Sequence, residues 1–340
     1  MRLIGLAIGL VAFLGLAPVE GQAQSAPSCP GDNLIDALKT DEPDKYRVLR
    51  ASADAIPNGK GLVWQVTSPS GAISYLVGTI HVGPKLVPDL PEGLARVWSE
   101  VDGAAFELKE VADPAAMLAA SFANLGKLLL PEGDSLRNHL TAGEILVLEQ
   151  VLKDKGQALD YMHRFQPVYV ATSLSLPSCG RALTPDQVKS SLSSTVDARI
   201  AARITEAGRD VYGLETPAEQ FQSLVNLPLD DQLVLLRSTL ALVDKLDDIS
   251  ITMTDIYRSE ETALFWSWNL MLAEESGALE ASKAFYNSLL DGRNHRMAER
   301  AQPYLEKGRI LVAVGALHLP GEKGLVALLR ARGFTVERLK

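Results

Sequence analysis

Four polar side chains stand where apolar runs of the sequence end. "ISYLVGTIHVG" leads from Ile73 into Gly78-Thr79-Ile80-His81, and "ILVAVGALHLPG" leads from Ile310 into Gly315-Ala316-Leu317-His318. "AAFE" ends on Glu107, and "VYGLE" ends on Glu215. The chain has 5 histidines; two of them share the Gly-x-x-His pattern near opposite ends of the sequence. An imidazole or carboxylate at the end of a buried strand is costly unless it finds a partner. Ligands of α/β sheets gather outside the carboxyl ends of the strands. Brought to one such edge, two imidazoles and two carboxylates could satisfy each other around a cation. That donor set, with open positions, suits a first-row divalent metal engaged in hydrolysis. Gly78 and Gly315 lack a Cβ, so backbone or substrate can approach closely.

Each signal also has a plainer reading. A lone histidine after a strand is usually a hydrogen-bonded loop residue, and the pair could be structural, bonded across two strand ends with no metal. Glu215 immediately precedes a helix start, where the dipole favours an acid. Glu107 could be a solvated edge residue. In "DGRNHRMAER" (291–300), Arg293, Asn294 and Arg296 cluster at a helix start. They could reach a carboxylate or oxyanion at the site, or form a solvated helix face. His295 is expected to point elsewhere, and His139 and His163 to be structural. His-Glu-x-x-His, Gly-x-Ser-x-Gly, phosphate-loop and dinucleotide motifs are absent from the sequence.

The elements that must position these residues are legible in outline. Two apolar runs flank Ser68-Pro69-Ser70-Gly71, which predicts a hairpin whose second strand leads to His81. Leu94, Val97, Trp98 and Val101 have helical spacing, and "AAFEL" follows as a strand. Helices are predicted from Asp113-Pro114, from the Thr141-x-x-Glu144 capping box to Gly156, and over "TVDARIAARITEAG". "FQPVYVATSLSL" fits either helix or strand. Thr216-Pro217-Ala218-Glu219 opens a long helical region that reaches about Lys307. A strand into His318, the helix "GLVALLRARG" and the strand "FTVERL" complete the chain. "GLARVWSEVDGAAFEL" (93–108) and "GLVALLRARGFTVERL" (324–339) align without a gap, each after a strand ending in Gly-x-x-His, which suggests two related halves.

The chain of 340 residues is 47% hydrophobic and 22% charged, an ordinary globular composition, with net charge −9. That acidic balance argues against nucleic-acid binding, which needs a basic face. The first 23 residues read as a secretory signal: Arg2, an apolar run from Leu3 to about Ala17, then small residues with cleavage near Ala23. A periplasmic or secreted protein is therefore expected, with no transmembrane segment after signal removal. The 2 cysteines, Cys29 and Cys179, are expected to form a disulfide in that setting.

"YLVGTIHVG", "AAFELKE", "VYGLETPAEQF", "RNHRMAER" and "VAVGALHLPGEKGLVALLRARGFTVERL" together resemble the TraB/GumN family, which also includes the pheromone-shutdown and Tiki proteins. The resemblance spans about residues 62–339. It implies an α/β fold similar to erythromycin-esterase-like and haem-uptake-related proteins: a central mixed sheet from two related halves with a mainly helical insertion, about 111–209 and 216–307, in one domain over 24–340. Tiki members resemble metal-dependent peptidases of the manganese or cobalt type. Carried onto this chain, the resemblance makes His81, Glu107 and His318 the ligands of a manganese, cobalt or zinc ion. Glu215 is a further ligand or the general base, and Arg296 or Asn294 stabilises charge on a peptide or small-molecule substrate. The expectation is an exported metal-dependent hydrolase, with a non-catalytic peptide- or small-ligand-binding protein as the alternative.

Overall fold

The computed structural model describes residues 31–82, 86, 88–177 and 185–339. The signal segment and both cysteines of the expected disulfide lie outside the described residues. Six strands form one mixed sheet: β1 (Val63–Thr67), β2 (Ile73–Thr79), β3 (Gly103–Phe106), β4 (Asp210–Gly213), β5 (Ile310–Gly315) and β6 (Thr335–Arg338), in the order β4-β3-β5-β2-β1-β6. β4, β3, β5 and β2 run parallel, while β1 is antiparallel to β2 and β6. The four strands that precede Glu215, Glu107, His318 and His81 are therefore consecutive and point the same way.

Helices dominate the rest, so the architecture is mixed α/β with mostly helical content. The two Gly-x-x-His strands, β2 and β5, are direct neighbours. Thr79 pairs with Gly315 and Gly78 with Val314, so the two motifs are staggered by one residue.

Alternation along β5 divides its side chains between the two faces of the sheet. Ile310, Val312 and Val314 pack with Met297, Ala301, Leu305, Val326 and Leu329, from the helices Gly292–Lys307 and Leu325–Ala331. Leu311 and Ala313 pack with Val196, Ile200 and Ile204, from the helix Val196–Glu206 on the opposite face. Two further cores lie among the helices. One joins Leu148, Val168, Leu235 and Phe285, and the other holds Leu38 and Leu49 against Ile249 and Trp268.

Local signals account for most of these elements. Thr141 and Glu144 make a reciprocal capping box, as do Thr216 and Glu219. Three segments needed tertiary context. The spacing at 94–101 predicts a helix, but the chain makes only a 3-10 turn at Glu92–Arg96 followed by turns. Leu94 and Val97 are still buried, because i and i+3 also coincide on a 3-10 helix. "FQPVYVATSL" is a helix, Pro167–Leu174, nearly all buried, so no polar face announced its period. The long region after Thr216 divides into successive helices and ends in a π-helical turn, Asn287–Asp291, that leads directly into Gly292–Lys307.

Candidate metal-binding and hydrolytic site

The carboxyl edge of the four parallel strands gathers all four strand-end residues. Glu107 follows β3 and lies at the centre. Its Oε1 accepts the Gly315 N–H (2.8 Å), and its Oε2 accepts from Arg293 Nη2 (2.6 Å) and Gln220 Nε2 (3.0 Å). A Cβ on Gly315 would sit 3.3 Å from Glu107 Oε1, which explains a glycine at this point of the motif. Gly78 has a different reason. Its Cβ would meet Leu319 Cδ1 at 2.8 Å and Ala316 Cα at 3.0 Å, where the chain after β5 crosses β2.

His318 is 2% exposed. Asn294 Nδ2 donates to Lys323 O (2.9 Å), which turns the amide oxygen toward His318 Nδ1 at 2.5 Å. The network thus assigns the proton to Nδ1, leaving the lone pair on Nε2. Nε2 stands 3.5 Å from Glu107 Oε1. Burial, only partly offset by Glu107, pushes the imidazole down to about 3, so His318 is neutral. Burial pushes the Glu107 carboxyl up, but Arg293, the two histidines and the Gly315 N–H outweigh it and hold the group at about 2.

His81 stands at the mouth, half-buried, with Nε2 3.5 Å from Asp197 Oδ2. Asp197 is buried on the helix Val196–Glu206 and accepts Thr79 Oγ1 at 2.7 Å through Oδ1. Burial pushes its carboxyl above the usual range.

Glu215 accepts Arg293 on Oε2 (2.8 Å) and Arg296 on Oε1 (2.5 Å), and its N–H donates to Glu107 O. Arg293, 1% exposed, bridges Glu107 and Glu215. Arg300 continues the row by pairing with Glu219. Residues 293, 296 and 300 share a helix face by their i, i+3, i+7 spacing.

The expected roles meet this geometry unequally. His81, Glu107 and His318 stand at one edge. Both oxygens of Glu215 are taken up by guanidiniums, Oε2 by Arg293 and Oε1 by Arg296. The Asn294 amide is engaged by His318 and Lys323 on both sides. His295 is exposed, and His139 pairs with Asp134. Sequence reading missed Arg293 as the bridge, and it missed Asp197 altogether. The signal for Asp197 was there: residues 197, 200, 201 and 204 form one apolar stripe, and an acid on that stripe is buried.

An elongated cavity of about 830 Å³, open solvent at its mouth included, opens above the edge. Thr79, His81, Glu107 and His318 line its floor, while Met253, Phe265, Phe285, Leu289 and Leu290 are among its apolar walls. A second cleft lies on the other side of His81 and Glu107 and is lined by Asp197, Thr195 and Met117. Among the described residues, no group of three or more His, Cys, Asp or Glu side chains is arranged to hold a metal ion as they stand. The donor chemistry nevertheless fits one. His318 is neutral, with its outer nitrogen fixed by a hydrogen bond, the usual support of a ligating histidine. The two imidazole–carboxylate spacings of 3.5 Å are long for hydrogen bonds. They are close to the roughly 3.4 Å between two ligands of a tetrahedral ion about 2.1 Å from each.

The chain is 24% identical to a metalloprotease TIKI homolog of Amphimedon queenslandica, over 78% of this chain and 59% of that protein. The chain therefore spans less than two thirds of that relative's length. It is 26% identical to an uncharacterized protein, YbaP, of Shigella flexneri and of Escherichia coli K12, over 78% of this chain and 90% of each. No solved structure matches. Among the described residues no helix is long and apolar enough to cross a membrane. The sequence profile of the TraB/PrgY/gumN family matches residues 62–338, and the chain belongs to that family.

Proposed function

We propose that this protein is an exported metal-dependent hydrolase that acts on peptide bonds, on a scaffold akin to the erythromycin-esterase-like folds. The observation that carries the reading is the pairing of two imidazoles with two carboxylates, each at 3.5 Å, with His81, Glu107 and His318 lining an apolar cavity and Asp197 lining the adjoining cleft. His81, Glu107 and His318 are the proposed ligands. A divalent ion, manganese, cobalt or zinc, would supply Lewis-acid polarisation of a carbonyl and a more acidic water there.

The chain's own residues do the rest. Asn294 holds His318 in one tautomer and orientation. Gly315 N–H, Gln220 and Arg293 fix Glu107 from three directions. Glu215 anchors Arg293 and Arg296. Arg296 lines neither cavity and holds Glu215 through Nε and Nη2, so the expected role of meeting charge on a substrate is left to its remaining nitrogen, with the side chain 29% exposed. The cavity walls suit a bulky apolar side chain and exclude water around it.

The firm engagement of Glu107 and Glu215 also favours the second reading, a protein that binds a peptide and returns it intact. Metal content by mass spectrometry, on mature protein purified without chelators or a His-tag and resupplied with manganese, cobalt or zinc, tests the site. Near-stoichiometric metal that is lost in a His81→Ala/His318→Ala double variant supports it, and metal-free protein in both sinks it. Turnover of a peptide library by the loaded protein then separates hydrolase from binder.

A further inference from the structure

We propose that Asp197 is a fourth ligand of this metal site, paired with His81 as Glu107 is paired with His318. The inference rests on the metal-site reading above and extends it to a residue from a helix, outside the strand-end motifs.

Three observations carry it. First, Asp197 Oδ2 is buried and has no hydrogen-bond partner, whereas Oδ1 is fixed by Thr79. A neutral carboxyl would not cure this, because a proton on Oδ2 would find its nearest imidazole nitrogen 3.5 Å away. An oxygen in that position is costly to bury, and a cation removes the cost.

Second, the charges at this edge are unevenly matched. Glu107 and Glu215 both face Arg293, and Glu215 also faces Arg296. Among the described residues Asp197 makes no salt bridge to a guanidinium or ammonium, and the imidazole beside it is that of His81. A divalent ion supplies the missing positive charge.

Third, the unpartnered oxygen is aimed at the site. Asp197 lines the cleft that also holds His81 and Glu107, and Thr79, which holds its other oxygen, ends the strand leading to His81. With His81 half-exposed, turning its ring costs little packing. The donor set becomes two imidazoles and two carboxylates, one pair from each side of the β2–β5 junction, a set that suits manganese, cobalt or zinc.

The test measures binding of manganese, cobalt and zinc by titration calorimetry on the full mature chain. Wild type, Asp197→Asn, Thr79→Val and His318→Ala are compared, with Tm recorded with and without metal. The expected result is affinity at least about tenfold weaker in Asp197→Asn, with an unchanged or higher metal-free Tm because a stranded carboxylate is gone. Thr79→Val, which keeps the carboxylate but releases it, is expected to weaken binding by about threefold, and it carries the test if Asp197→Asn does not fold. Wild-type affinity in Asp197→Asn, or in Thr79→Val if that variant alone folds, overturns the inference, and loss in His318→Ala then leaves the metal site itself standing. A wild type that binds none of the three ions overturns both.

Discussion

Asn294 Oδ1 lies 2.5 Å from His318 Nδ1, and the Lys323 carbonyl behind the amide fixes which end of Asn294 faces the ring. One asparagine thereby sets the tautomer of a histidine that is itself buried at the end of β5. Asn294→Asp keeps an acceptor toward Nδ1 but loses the donor to Lys323 O. Asn294→Leu removes both. Metal affinity should fall about 10- to 100-fold in Asn294→Leu and less in Asn294→Asp. Equal affinity in all three proteins, measured by calorimetry, would contradict the orienting role.

Arg293 should carry more of the stability than its neighbours. It is 1% exposed and joins Glu107 to Glu215. Arg293→Met leaves buried Glu107 without its guanidinium and Glu215 with Arg296 alone, so the expected loss is about 3–5 kcal/mol, read by urea unfolding at neutral pH. Arg293→Lys retains the charge but not the planar fork, and should rescue little. Adding Glu215→Gln to Arg293→Met should recover part of the loss, because one stranded charge is removed. A loss in the double variant equal to the sum of the two single losses would argue against the bridge.

The contrast between these residues shows what the sequence could and could not convey. Apolar runs ending in His81, Glu107, Glu215 and His318 made the strand ends legible one at a time. That all four reach one edge depends on the order β4-β3-β5-β2. That order is fixed by crossovers and by packing of the two sheet faces, which no local pattern encodes. Arg293 was visible only as one member of a basic cluster, because the carboxylates it is buried between, Glu107 and Glu215, are remote in sequence. Asp197 went unread; it stands in the first turn after the Thr195 cap, where an acid is ordinary. Its place on the stripe with Ile200 and Ile204 has meaning only once that stripe is known to face β3 and β5.

Acid sensitivity should arise partly far from the site. Arg237 donates to Glu144 and, with the Thr141 cap, holds its carboxyl down at about 2 from an ordinary 4.5. A depressed acid contributes stability that is fully present above the unfolded value and is lost as pH falls toward the folded one. The window is therefore about pH 4.5 to 2. Because the pair is partly solvated, its share is about 1 kcal/mol. Glu144→Gln should lower Tm at pH 7 and converge with wild type near pH 2. A constant Tm difference across that window would place the effect elsewhere.

The two motif glycines should fail in different ways when given a methyl group. Gly78→Ala drives a Cβ to within 3.0 Å of the Ala316 backbone and 2.8 Å of Leu319. Leu319 is fully buried and cannot move aside, so overpacking should cost about 1–3 kcal/mol and appear as a lower Tm. Gly315→Ala meets the end of the Glu107 side chain at 3.3 Å and His318 Cδ2 at 3.6 Å. Those groups can shift by a few tenths of an ångström, so the fold should tolerate the change. The shift falls on a proposed ligand, however: Glu107 is pushed away from the Gly315 N–H that anchors it, while His318 stays at ordinary contact distance. Near-wild-type Tm with metal affinity reduced by roughly tenfold is the expected signature of Gly315→Ala. The reverse pattern, intact affinity with a lowered Tm, would mean that this glycine serves strand packing as Gly78 does.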